Sequence, residues 1–181
     1  MAPVRALVVV FLAAAAAAVH VPSSSPSPPG YRTIFAGNPP TGGHWDLSAK
    51  RRTIAGRRAL CLSFTTRSRE GVEFSNTGCA AGTLRAWNNV FPIASGYGGS
   101  LDANLVGGFT VARARLARIT FADGQQVTTV TRLGPPAFRR ALGGPIRFIV
   151  VNAFRRTRAA ARSVSVFDVR GRRIGSVRLG S

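Results

Sequence analysis

The stretch Ile146–Phe154 reads Ile-Arg-Phe-Ile-Val-Val-Asn-Ala-Phe and is apolar at Ile146, Phe148, Ile149, Val150 and Val151. A strand with one wet face alternates apolar and polar side chains. A short run that is apolar at successive positions and bounded by turn signals instead reads as a strand buried on both faces. Downstream, Ser163–Val169 and Arg173–Leu179 flank Arg170-Gly171-Arg172 and form a final hairpin. Its first strand is apolar on both faces, through Val164 and Val166 on one and Phe167 and Val169 on the other.

Upstream the same grammar continues. Phe109–Phe121 is a long β-prone run, and Ala122-Asp123-Gly124 is a tight turn leading into Gln125–Leu133, since Asp-Gly between two such runs is a strong hairpin signal. Gly134-Pro135-Pro136 ends that hairpin, and Ala137–Leu142 has room for one helical turn. Trp45, Leu47 and Ala49 alternate with polar neighbours in His44–Lys50, Leu60, Leu62 and Phe64 alternate with Cys61, Ser63 and Thr65, and Val72 and Phe74 mark a short strand. Gly82–Gly108, with Trp87, Phe91 and Tyr97 among Gly, Asn and Pro, reads as long loops around one or two short strands. No window yields a long amphipathic helix. The expectation is an all-β fold, a single antiparallel β-sandwich of immunoglobulin-like type over residues 31–181.

Ahead of that domain, Arg5 precedes an apolar run from Ala6 to Val19, and Ala16, Ala17 and Ala18 offer a small-residue cleavage site. That is the layout of a signal peptide, assigned to residues 1–18, and the run is shorter than the roughly 20 strongly apolar residues of a membrane span. Residues 19–30 are a Pro/Ser-rich, semi-rigid linker. The expected location is outside the cytoplasm, secreted or associated with the cell envelope. In an oxidising compartment the two cysteines, Cys61 and Cys79, are expected to bridge.

Charge is the outstanding quantity. The chain has 25 basic and 6 acidic residues for a formal net charge of +19, and every basic residue except Lys50 is Arg. Arg presents a planar fork that matches phosphate, sulfate and carboxylate. A GC-rich coding sequence would also inflate Arg together with Ala, Gly, Pro and Val. Either way, so strong a field attracts polyanions.

The leader, the strand bearing Leu60-Cys61-Leu62, the second Cys79, the run from Val111-Ala112-Arg113 to Asp123-Gly124, and the ending Val166-Phe167-Asp168-Val169-Arg170-Gly171-Arg172 occur in an order that carries a resemblance. Over about Ala59 to Val177 the chain resembles uncharacterised secreted β-sandwich proteins of high-GC Gram-positive bacteria. The resemblance implies fold and export and no activity.

Few constellations could carry chemistry. A Ser-His-Asp triad would have to use His44, with Asp46, Asp102, Asp123 or Asp168 and an unidentified serine, and no G-x-S-x-G occurs. Asp123 and Asp168 are better explained by turn chemistry. The sequence offers no C-x-x-C, H-x-x-x-H, calcium loop or phosphate-cradling glycine loop, so neither metal nor cofactor is expected. An exported cysteine transpeptidase using Cys79 and His44 is the alternative enzyme, because Ser75-Asn76-Thr77-Gly78-Cys79 resembles the S-x-G-C element of that class. Against it, two residues separate Ser75 from Gly78, and Cys79 is followed by Ala80-Ala81 where that class has an arginine two places on. The preferred expectation is a non-catalytic module that binds an anionic envelope polymer or lipid headgroups, with no sequence-specific nucleic-acid contact. Its candidate contacts are Arg155, Arg156, Arg158, Arg162, Arg170, Arg172 and Arg173. Charged edge residues also have the duller task of blocking edge-to-edge aggregation.

Overall fold

A computed structural model of the chain describes residues 29–38, 43–67, 69, 71, 73–95, 105–153, 157 and 159–179. The expected signal peptide and nearly all of the linker lie outside the described residues. Twelve strands run in chain order as β1 (Arg32–Gly37), β2 (His44–Ile54), β3 (Arg57–Arg67), β4 (Glu73–Ala81), β5 (Val90–Ser95), β6 (Leu105–Val111), β7 (Leu116–Phe121), β8 (Gln126–Val130), β9 (Arg140–Ala141), β10 (Gly144–Asn152), β11 (Ala161–Phe167) and β12 (Arg173–Arg178). Single 3-10 turns at Leu84–Trp87 and Pro136–Phe138 are the helical elements among the described residues. All pairings between strands are antiparallel.

The strands form three four-stranded sheets, ordered β1-β2-β3-β4, β5-β6-β10-β9 and β12-β11-β7-β8. A single two-sheet sandwich was the expectation, and the reason for the third sheet lies in β10. Its Ile146, Phe148 and Val150 join one core with Leu47, Leu60, Leu62 and Phe64 of the first sheet. Its Ile149 and Val151 join a second core with Ile119, Phe121, Val164 and Val166 of the third sheet. The middle sheet is thus packed on both faces, as the unbroken apolar run requires, and burying both faces takes a layer on each side. Neighbouring strands repeat the division: Phe91 and Phe109, opposite one another in β5 and β6, belong to the first core, while Val90 and Val106 belong to the second.

One further reading changes in detail. The β-prone run Phe109–Phe121 is two strands, β6 in the middle sheet and β7 in the third. Between them the Ala112 N–H donates to the Pro145 carbonyl and the Ala114 N–H to the Val111 carbonyl, so the chain turns from one layer to the next without a Gly or Pro to mark the place. The region Gly82–Gly108, read as long loops around one or two short strands, holds β5 and the start of β6, and residues 96–104 lie outside the described residues. The two hairpins β7–β8 and β11–β12 occur where the sequence places them, whereas the helical turn expected within Ala137–Leu142 is a 3-10 turn at Pro136–Phe138 followed by β9.

Candidate functional site

Cys61 and Cys79 face one another in the register of β3 and β4 and are joined by a disulfide, leaving no free cysteine. The bond ties neighbouring strands on the face opposite Leu60, Leu62 and Phe64. His44 is remote from it: Lys50 is the residue of β2 in register with Cys61, and His44 lies six positions back along the strand, about 20 Å away at roughly 3.3 Å per residue. The structure therefore brings no thiolate to a histidine, and the pairing of Cys79 with His44 needed by the transpeptidase reading is not assembled.

His44, Asp46 and Ser48 do share a face of β2. Asp46 is 2% exposed and lies across from Thr65, which lies across from Ser75. Ser48 Oγ donates to Asp46 Oδ2 at 2.7 Å. The His44 ring nitrogen Nδ1 lies 3.3 Å from the Asn38 amide, and turning that amide lets its nitrogen donate to the ring and to the Gly37 and Gly43 carbonyls. The Nε2 atom is buried without a hydrogen-bond partner among the described residues. In a hydrolytic triad the imidazole stands between serine and carboxylate. Here the carboxylate accepts the serine hydroxyl's hydrogen bond directly and the imidazole bonds an amide. Burial pushes the Asp46 carboxyl above the usual range; the Ser48 hydroxyl and nearby His44 pull it back, and Glu73 adds to the rise.

The other described acids are occupied with structure: Glu73 pairs with Arg67 at 2.8 Å, while Glu70 and Asp102 lie outside the described residues. Asp123 accepts from the Gln125 N–H and the Thr157 hydroxyl, and the Thr157 bond holds its carboxyl below the usual range. Asp168 accepts from the N–H groups of Arg170 and Arg172 and from Arg172 Nε, and the Arg172 backbone bond is the largest cause of its lowered pKa. Among the described residues no group of three His, Cys, Asp or Glu is placed to hold a metal ion.

Among the expected anion contacts, Arg155, Arg156 and Arg158 lie outside the described residues. Arg162 stands near the start of β11, whereas Arg170, Arg172 and Arg173 stand at the turn beyond its far end. These do not form one cluster. Arg162 lines a cleft of about 920 Å³ together with Arg178, and Arg172 is paired with Asp168 at 3.0 Å.

A denser basic site lies elsewhere, where β2 and β3 run past the core. Residues of β2 are buried from Asp46 to Ala49 and exposed from Arg51 onward. The hairpin closes on Ala55 and Gly56, both with positive φ at 47° and 72°, the two-residue turn that suits the twist of paired strands. The turn returns Arg57 and Arg58 alongside Ile54 and Thr53. Facing this tip is the short hairpin of β9 and β10, reversed at Leu142 and Gly143, again with positive φ at 52° and 83°. Arg51 joins the two parts: its Nη2 donates to the Arg140 carbonyl at 2.8 Å, and its guanidinium lies 5.9 Å from the centre of the Phe138 ring. Between them opens a cleft of about 700 Å³ lined by Arg51, Arg52, Arg58 and Arg140, with no carboxylate in the lining. Arginines gathered on low-dielectric walls focus a positive field, and their planar forks suit phosphate, sulfate or carboxylate oxygens. Sequence reasoning passed over it, although one signal was present: the doublets Arg51-Arg52 and Arg57-Arg58 flank a two-residue turn and so must lie at one end of one hairpin.

No family model, curated protein or solved structure matches this chain. Among the described residues no helix is long and apolar enough to cross a membrane.

Proposed function

We propose that this chain is an exported, non-catalytic binding module of the cell envelope or its surroundings, and that it grips an extended anionic polymer at the arginine-lined cleft between the β2–β3 hairpin and β9. The observation that carries the reading is that Arg51, Arg52, Arg58 and Arg140 all line one cleft whose lining holds no acid. Several cations along one cleft favour a ligand with several negative groups over a single small ion. Export rests on the signal-peptide layout of residues 1–18, and the disulfide suits an oxidising compartment. The resemblance to secreted proteins of high-GC Gram-positive bacteria belongs to the same reading.

Retention on immobilised heparin over a salt series tests it. Arg52→Gln, Arg58→Gln and Arg140→Gln together are expected to lower the salt at which the protein elutes and to reduce the salt slope by roughly one unit per arginine. Unchanged elution of the triple variant would refute the cleft as the site.

A further inference from the structure

The far end of the third sheet carries an unusual combination. Val130, Leu133 and Val169 are 61%, 55% and 82% exposed, three of the six large apolar side chains found exposed among the described residues. Register places Val130 and Val169 at the same end. Val130 is opposite Leu116, Leu116 is opposite Phe167, and the Thr131 and Arg115 N–H groups continue the row by donating to the Arg115 and Phe167 carbonyls. Val169 lies two residues past Phe167, and Leu133 two residues past Thr131, where the chain has crossed at Arg132 to pair with Phe148 of the middle sheet. At about 4.8 Å between strands, Val130 and Phe167 are about 10 Å apart across the sheet.

Cations surround these side chains. Arg118 lies over the Phe167 ring at 5.0 Å, and Arg113, Arg115, Arg170 and Arg173 are exposed nearby. The acid at this end, Asp168, is already engaged by Arg170 and Arg172. Those same bonds hold the turn, so Val169 projects from a braced tip.

A polymer of anionic sugars would satisfy the arginines but leave Val169, Val130 and Leu133 in water. A bilayer with anionic headgroups satisfies both: apolar side chains enter the interface while guanidinium groups meet phosphates at its surface. We propose that this end of the third sheet docks on an anionic lipid surface with the Val169 tip inserted below the headgroups. The surface is separate from the arginine cleft and stands or falls independently of it.

Because other parts of the chain could also bind lipid, the test reads insertion locally. Val169→Trp in the full chain is mixed with vesicles of equimolar phosphatidylglycerol and phosphatidylcholine whose acyl chains are brominated to quench buried indoles. Gln126→Trp, exposed at the opposite end of the same sheet and outside the arginine cleft, is the control. The expected result is quenching and a blue shift for the Val169→Trp protein beyond those of the control, absent with pure phosphatidylcholine. A second arm scores Val169→Ser with Val130→Thr and Leu133→Ser for vesicle partitioning, where a loss of about tenfold or more is expected from the apolar area removed. Arg170→Gln with Arg173→Gln is expected to cost about fivefold per arginine. Quenching no greater than the control's, or partitioning untouched by the apolar triple variant, would overturn the proposal. The cleft variants above serve to show whether any remaining vesicle binding belongs to that other site.

Discussion

Gly107 shows how closely the layers meet. A Cβ there would lie 2.6 Å from Phe64 Cδ2, in the centre of the first core, so Gly107→Ala forces β6 away from the first sheet. The expected cost is about 1–3 kcal/mol in chemical denaturation. Gly144→Ala, whose Cβ would meet nothing within 4 Å, should stay within about 0.5 kcal/mol. Equal losses at the two positions would mean that the first two sheets are farther apart than described.

Asp46 makes a second residue-scale prediction. Its raised pKa means that the folded chain holds this proton more tightly than the unfolded chain does. That contribution to stability is complete below the unfolded value of 3.8 and is lost as pH rises through the folded one. Asp46→Asn removes the titration while keeping an acceptor for Ser48. The variant should therefore melt above the parent near pH 7, with the difference shrinking towards about pH 3, below the ordinary aspartate range. Asp168, with its pKa lowered, has the opposite sign and loses its contribution as pH falls. A melting difference that ignores pH would show that Asp46 is well solvated.

Among the elements, β10 decides the layering. Phe148 and Ile149, adjacent in sequence, are each fully buried, but in different cores. Phe148→Ala is expected to cost about 3–5 kcal/mol and Ile149→Ala about 2–5 kcal/mol. If either loss fell below about 1 kcal/mol, as for a surface position, one of the two cores would be missing. Reduction of the Cys61–Cys79 bond, whose partners are 18 residues apart, should cost about 3 kcal/mol by the chain-entropy argument, read as a shift in the urea midpoint.

The same scale shows what the sequence made legible. The double burial of Ile146–Val151, the Asp123-Gly124 hairpin, the final hairpin and the disulfide each follow from a local pattern, because two-residue periodicity and turn chemistry are local matters. The passage from β6 to β7 was not legible, since Val111-Ala112-Arg113-Ala114 has ordinary β-compatible residues, and its local bond from Ala114 to Val111 is braced by long-range bonds of Ala112 to Pro145 and Arg115 to Phe167. The cleft was half legible. Its two arginine doublets are visible beside their turn, but Arg140 joins them only through the packing of the first sheet on the second, and sequence separation says nothing about that meeting.

For the molecule as a whole, the central claim is that a +19 chain does more than attract anions in proportion to its charge: it directs them to one cleft. Composition alone would make every arginine equivalent. The cleft makes four of them special, and removing three of these beside an equal loss of charge elsewhere supplies the comparison. The decisive measurement is calorimetric titration of a linear polyphosphate into two variants of identical net charge. One carries Arg52→Gln, Arg58→Gln and Arg140→Gln, and the other carries Arg32→Gln, Arg85→Gln and Arg178→Gln. A cleft that binds gives a saturable isotherm in the parent and the second variant and at least a tenfold weaker one in the first, about 1.4 kcal/mol or more. Equal weakening in both would contradict the account and return the arginines to composition.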